Sequence, residues 1–219
     1  MNQKIEKVMG SEVVLGRAWW LMLGGIVVLA AVVLWLAPAE QTLGSGITSV
    51  YVHVALTWSG MTGLIVAAAL GLAAALLGRS GWQDWGHVVG WVGLGMFAAG
   101  LIMSAVAAGI NWGNVFWQEP RFNSALQILA VGLIVQVVNS LPLPYRLRGL
   151  LQALPAALLI WLTMITPLVL HPGNAARTSP SAAIRFTFIG LYVLCCLAGA
   201  WIVLAIRRHW PADGPVTVP

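Results

Sequence analysis

The sequence predicts an all-α membrane protein, a six-transmembrane-helix bundle with both termini cytoplasmic. Three observations predict it. The 219 residues are 60% hydrophobic and only 8% charged, with a mean hydropathy of +0.89; a soluble chain is about a quarter charged. Apolar runs recur six times, each near the roughly 20 residues that a helix needs to cross a bilayer. The basic residues cluster at the ends of those runs, so the net charge of +5 reflects topology and forms no stripe for nucleic acid.

The runs lie at about 18–37, 50–77, 87–110, 123–141, 150–170 and 183–206. They are rich in Leu, Val, Ala and Gly and too long for barrel strands. Turn-forming stretches separate them: "APAEQTLGSG", "RSGWQDW", "NWGNVFWQEPR", "PLPYRLRG" and "HPGNAARTSPS". With the N-terminus inside, the inner side carries Lys4, Lys7, Arg17, Arg79, Arg146, Arg148, Arg207 and Arg208, and the outer side carries Arg121, Arg177 and Arg185. That bias sets the orientation. The first run is long enough to be a retained helix and longer than the apolar core of a signal peptide. Three segments follow: a cytoplasmic N-terminal segment, 1–17; a transmembrane domain, 18–206; and a cytoplasmic tail, 207–219. Ile5, Val8, Met9 and Val13 suit the N-terminal segment to the inner membrane surface, and a solvated tail fits equally well.

Some classes are disfavoured. No internal repeat is visible, which argues against an inverted-repeat transporter. Pro155 and Pro167 are positioned to kink the fifth span, but no span has an acidic residue near its centre. Of the six carboxylates, Glu6, Glu12, Asp84 and Asp213 are scattered on the inner side, and nothing pairs Glu40 with Glu119 on the outer side. The chain is therefore not expected to be an enzyme. Cys195 and Cys196 are adjacent and mid-helix, and read as small packing residues. The "GHVVG" and "GINWG" spacings fit small-xxx-small helix contacts, a weak signal where Gly is frequent.

An imidazole at membrane depth needs a partner. His87 and His209 lie at the inner ends of spans three and six and read as interfacial residues. His53, in "YVHV", opens span two, and His171, in "LVLHPG", closes span five, both on the outer side. Singly, each fits a hydrogen-bonded interfacial residue. As a pair they match the two axial positions of a porphyrin iron. Between them runs the outer loop "NWGNVFWQEPRFNS", with Trp112, Phe116 and Trp117 close to Glu119 and Arg121. Single tryptophans belong to interfacial belts; this group is more than a belt needs and can stack on a flat macrocycle. Arg121 suits a propionate in bidentate geometry, as do Arg177 and Arg185. Glu119 and Arg121 equally fit a helix start, with Glu119 near the positive end of span four.

These residues resemble the CcmC family, the heme-handling membrane proteins of cytochrome c maturation within the wider "WWD" heme-handling superfamily. The resemblance covers roughly 17–206. It rests on His53 followed by Trp58, on the Trp-rich outer loop ending in an acidic residue and Arg, and on His171. Trp112, Gly113, Arg121 and Ser124 stand where the family's loop has its counterparts, and Glu119 stands for the family's Asp. Val115, Phe116 and Gln118 replace tryptophans, and Trp117 supplies one at a neighbouring position. The resemblance implies a non-covalent heme b on the outer face, ligated by His53 and His171. Trp58, Trp112, Phe116, Trp117, Glu119 and Arg121 would contact it. It also implies a plasma-membrane protein whose periplasmic face delivers heme to a heme chaperone, with ABC-transporter membrane subunits as partners. The replaced tryptophans support an alternative, a divergent structural or electron-transfer subunit of a larger membrane complex.

Overall fold

The structure, a computed structural model, describes residues 2–167, 169 and 179–209, with side chains described from residue 19 to 208 within those ranges. Among the described residues there are seven helices and no strand beyond an isolated bridge between Glu40 and Gly44. The helices are α1 (Asn2–Trp35), α2 (Ile47–Leu77), α3 (Ser80–Trp112), α4 (Pro120–Asn139), α5 (Tyr145–Leu151), α6 (Leu154–Ile165) and α7 (Ala182–His209). Five stretches are long and apolar enough to cross a membrane: α2, α3, α4, α5 with α6 taken together, and α7. The first expected span corresponds to α1, whose apolar stretch Trp19–Trp35 is shorter. α1 begins at Asn2, so the N-terminal segment is helical and continuous with that stretch.

The α2–α3 hairpin is the centre of the bundle. Gly78, with φ of 69°, closes α2 in the left-handed conformation and donates its N–H to the Ala74 carbonyl. The chain then turns directly into α3. The two helices touch backbone to backbone. A Cβ on Gly63 would lie 2.7 Å from Gly93 Cα, and one on Gly60 would lie 2.6 Å from Phe97 Cα. Small residues allow this approach, which replaces the hydrophobic drive missing in lipid with dispersion contact. Of the two small-residue spacings noted in the sequence, Gly86 and Gly90 are packed against neighbours. Gly109 has open space around it, and Gly113 caps α3 with φ of 72°.

Around the hairpin, α7 packs on the face of α2 that carries Ile47, Tyr51 and Ala55, through Ile184, Phe188 and Leu191. The Tyr51 and Phe188 rings meet edge to face at 4.6 Å, and Tyr51 donates to the Pro38 carbonyl at 3.1 Å. Leu64, Leu94, Phe97 and Ile128 join Leu159 and Leu162 of α6 in a second core. α1 leans on α7, where Trp201 donates to the Trp19 carbonyl at 3.0 Å. Cys195 and Cys196 are free and half-buried, and Cys196 Sγ lies 3.6 Å from Ser59 Oγ. Packing is their observed use.

Span five is broken, and proline explains both ends of α6. Pro155 has no N–H for the Leu151 carbonyl and its ring crowds that carbonyl; α5 accordingly ends at Leu151 and α6 starts at Leu154. Thr166 precedes Pro167 and is extended, with ψ of 122°, as the proline ring demands of its predecessor.

Between α1 and α2, the Glu40 carboxylate accepts the N–H groups of Thr42 (2.7 Å) and Leu43 (2.8 Å). The Leu43 N–H, aided by Thr42, holds the exposed carboxyl below its ordinary value of 4.5. A depressed folded value means that the turn is complete above 4.5 and loosens only as pH falls through the lower folded value. The Thr42 and Leu43 amide proton shifts are expected to titrate with a midpoint below 4.5, and Glu40→Gln to abolish the titration.

The helix contact makes a separate prediction. Gly60→Ala forces a methyl into the α3 backbone and is expected to lower stability by about 1–3 kcal/mol. Gly95→Ala, with nothing within 4 Å, is expected to be neutral or to stabilise by up to about 1 kcal/mol. Unfolding in detergent checks both.

Candidate functional site at the end carrying the loop between α3 and α4

His53 sits in the second turn of α2, about 9 Å along the helix from Ile47. It is half-buried against α3, deeper than the span opening expected from sequence. The ring is polar and its surroundings are apolar, so its hydrogen bonds decide whether it is tolerated. Nδ1 lies 2.8 Å from the Gly100 carbonyl and 3.3 Å from Thr57 Oγ1. A carbonyl only accepts, so Nδ1 carries a proton in this contact. Metal-binding histidines have this same orientation, with one ring N–H fixed by a backbone carbonyl. It arises here because a Cβ on Gly100 would lie 2.7 Å from Thr57 N; only glycine lets the carbonyl come within reach.

The aromatic loop stands beyond this level. Trp112 ends α3, about three turns or 18 Å of rise past Gly100. Trp112, Phe116 and Trp117 are all exposed. Trp117 is braced by Phe122 of α4, ring to ring at 5.4 Å and nearly perpendicular. Glu119 is the residue before α4 and is buried, and its carbonyl accepts the Asn123 N–H. This is the helix-start position that the sequence allowed.

Arg121 is occupied with packing. Its guanidinium reaches the carbonyls of Thr163 and Thr166 at 3.5 and 3.4 Å, the carbonyl end of α6, where backbone acceptors lack helical partners. Ser124 and Thr166 hydroxyls are 2.8 Å apart, so α4 and α6 are tied at this end. Trp58 belongs elsewhere. It lies about 140° around α2 from His53 and packs edge to face on Tyr192 of α7 at 6.0 Å. Arg185 is exposed in the first turn of α7. His171 and Arg177 lie outside the described residues.

The structure thus brings His53 together with Thr57 and the Gly100 carbonyl, and Arg121 together with the end of α6. It sets the loop aromatics apart from His53 along the helix axis and puts Trp58 on another face. Among the described residues, no three His, Cys, Asp or Glu side chains cluster as a metal site. Axial ligation by one or two imidazoles does not need such a cluster, and the donor set at His53 fits it. Sequence reasoning missed Thr57 and Gly100. It also expected His87 at an interface, whereas His87 is buried, because α4 and α5 cover that face of α3. A shallow groove lined by Leu34, Trp35, Ala37, Ala39, Ser45 and Thr48 holds no titratable side chain.

Arg121→Ala is expected to release the end of α6 and lower unfolding stability by about 1–2 kcal/mol. Arg185→Ala is expected to leave it unchanged. Thermal unfolding in detergent compares them. No protein-family model matches the chain, and neither does any curated protein.

Proposed function

We propose that the chain is a membrane heme-handling protein of cytochrome c biogenesis. In this reading all six apolar segments cross the plasma membrane, both termini are cytoplasmic, and the α3–α4 loop faces the periplasm. His53 and His171 would hold a non-covalent heme b. The exposed rings of Trp112, Phe116 and Trp117, with Glu119 and Arg121 at the same end, lie further along the bundle than His53 and would meet heme on its way in and out. A periplasmic heme chaperone receives the heme, and ABC-transporter membrane subunits are the partners. The observation that supports the reading is the 2.8 Å contact between His53 Nδ1 and the Gly100 carbonyl, the orientation that metal-binding histidines have.

Bound heme would supply an iron centre for low-spin, bis-imidazole coordination. The chain's own part is binding and presentation. Gly100 and Thr57 orient one ring, and the loop offers apolar surface at the end where heme enters and leaves. No substrate bond is broken, and the chain has no C-x-x-C pair for redox work.

A second reading has its own support. Arg121 caps α6 and Trp58 packs on α7, so two of the site residues already have structural uses. That suits a divergent subunit of a larger membrane complex that has kept the fold.

Absorption spectra of the detergent-purified protein, oxidised and reduced and after hemin addition, test the two. A low-spin b-type spectrum lost in His53→Ala and in His171→Ala, but kept in His87→Gln and His209→Ala, is the expected result. A chain that binds no added hemin, or four variants that behave alike, would favour the subunit.

A further inference from the structure

The opposite end of the bundle buries polar side chains that the heme reading does not use. Gln83 and His87 lie one turn apart on α3, Gln136 and Asn139 lie near the end of α4, Arg148 is on α5, and Gln152 follows it at the proline break. All six are buried. Glycines let them converge. A Cβ on Gly90 would collide with the amides of Gln136 and Gln152, and one on Gly71 would lie 2.6 Å from the Gly149 carbonyl. The faces of α3 and α2 are therefore notched where α4 and α5 arrive. Asn139 donates to Gln152 Oε1 at 2.6 Å, Arg148 to the Asn139 carbonyl at 3.4 Å, and Ser140 Oγ lies 3.5 Å from His87 Nε2.

This set lacks an anion. Arg148 is 4% exposed, its side-chain hydrogen bond is long, and its Nε has no partner. Among the described residues no carboxylate pairs with it. The amide nitrogens of Gln83, Gln136 and Gln152 are buried without partners as well. A buried guanidinium without a counter-ion is costly, and so is each unpaired amide. Among residues with described side chains, this end carries Arg79, Arg146, Arg148, Arg207 and Arg208 against the single acid Asp84.

We propose that Arg148, with the amides of Gln136 and Gln152, binds one phosphate-class oxyanion, supplied by a phospholipid headgroup or by free phosphate. The guanidinium fork matches two phosphate oxygens, and the amide N–H groups take the others. Asn139 Oδ1 also lacks a partner; it suits a hydroxyl of a glycerol headgroup or of a protonated phosphate. A carboxylate would bring no donor for it. Arg148 lies about 5 Å along α5 from its first residue.

The full chain, delipidated in a neutral maltoside detergent, is unfolded thermally and followed by tryptophan fluorescence. Phosphatidylglycerol, phosphatidylcholine or inorganic phosphate is added. The expected result is a Tm rise of a few degrees with phosphatidylglycerol or with phosphate, and a smaller one with phosphatidylcholine, whose phosphodiester is screened by the choline cation and comes with no hydroxyl. The rise is at least halved in Arg148→Lys, which keeps the charge and loses the fork, and is kept in Arg79→Gln. A response to phosphatidylglycerol without one to inorganic phosphate assigns the site to a headgroup, and a response to inorganic phosphate alone assigns it to the soluble ion. A wild-type chain that responds to neither, or an Arg148→Lys chain that responds in full, overturns the site. If Arg148→Lys does not fold, Gln136→Leu takes its place: a rise at least halved supports the site, and a full response overturns it.

Discussion

Everything at both ends of the bundle depends on how closely α2 and α3 approach each other. Gly60, Gly63, Gly93 and Gly100 remove the side chains that would hold the helices apart. At one level this closeness brings the Gly100 carbonyl to His53 Nδ1. At another, the missing side chain of Gly90 leaves a notch in α3 that receives the amides of Gln136 and Gln152. A side-chain layer between the helices would leave the imidazole without that carbonyl in an apolar setting. An unpaired polar group costs several kcal/mol there. The polar chemistry of the chain is thus a consequence of its smallest residues.

The two ends manage polarity in different ways. At the loop end, polar groups are spent on backbone: His53 on Gly100, Arg121 on the carbonyls of α6, Asn111 on the Gly46 carbonyl at the start of α2. Each fastens one helix to the next. At the other end the polar side chains face one another, and many of their atoms have no partner. Charge sharpens the contrast, because Arg148 is buried there and, among the described residues, no carboxylate pairs with it. Arg121 and Arg148 both hold long hydrogen bonds to carbonyls and both have an unpartnered Nε; what sets Arg148 apart is that it is 4% exposed and has buried amides around it, and this is why the anion site is proposed opposite the loop.

Much of the architecture was legible in the sequence because apolar run length and turn composition are local properties. Five of the runs are helices long and apolar enough to span a membrane, and their boundaries fall near the expected ones. The proline break in span five was visible as Pro155, since a missing N–H acts on its own helix. What was not legible depended on rotation and partners. His53 and Trp58 are five residues apart and read as one motif, yet they face different helices. Gln83, Gln136, Asn139 and Gln152 are scattered singly through apolar runs and become a cluster only after α3, α4 and α5 pack. Arg121 read as an outward cation because sequence does not reveal that the end of α6 lies beside it.

The aromatic loop separates a belt from a shelf. Trp35 ends α1 and Trp112 ends α3, both exposed at the loop end, and Trp82 and Trp85 are exposed near the start of α3 at the other. These rings already supply what interfacial anchoring requires at each surface. Phe116 and Trp117 are additional, lie outside any helix, and are exposed. Trp117 is nevertheless held by Phe122, so its ring is presented in a fixed orientation. Holding an apolar ring still in an exposed loop has an entropic cost of about 0.5–1.5 kcal/mol when a partner must order it on binding. Here the protein's own packing has met part of that cost beforehand. Preorganisation of this kind serves a flat ligand in transit and a protein partner docked for good equally well. The distinction between carrier and subunit therefore rests on the imidazole below the loop and not on the loop itself.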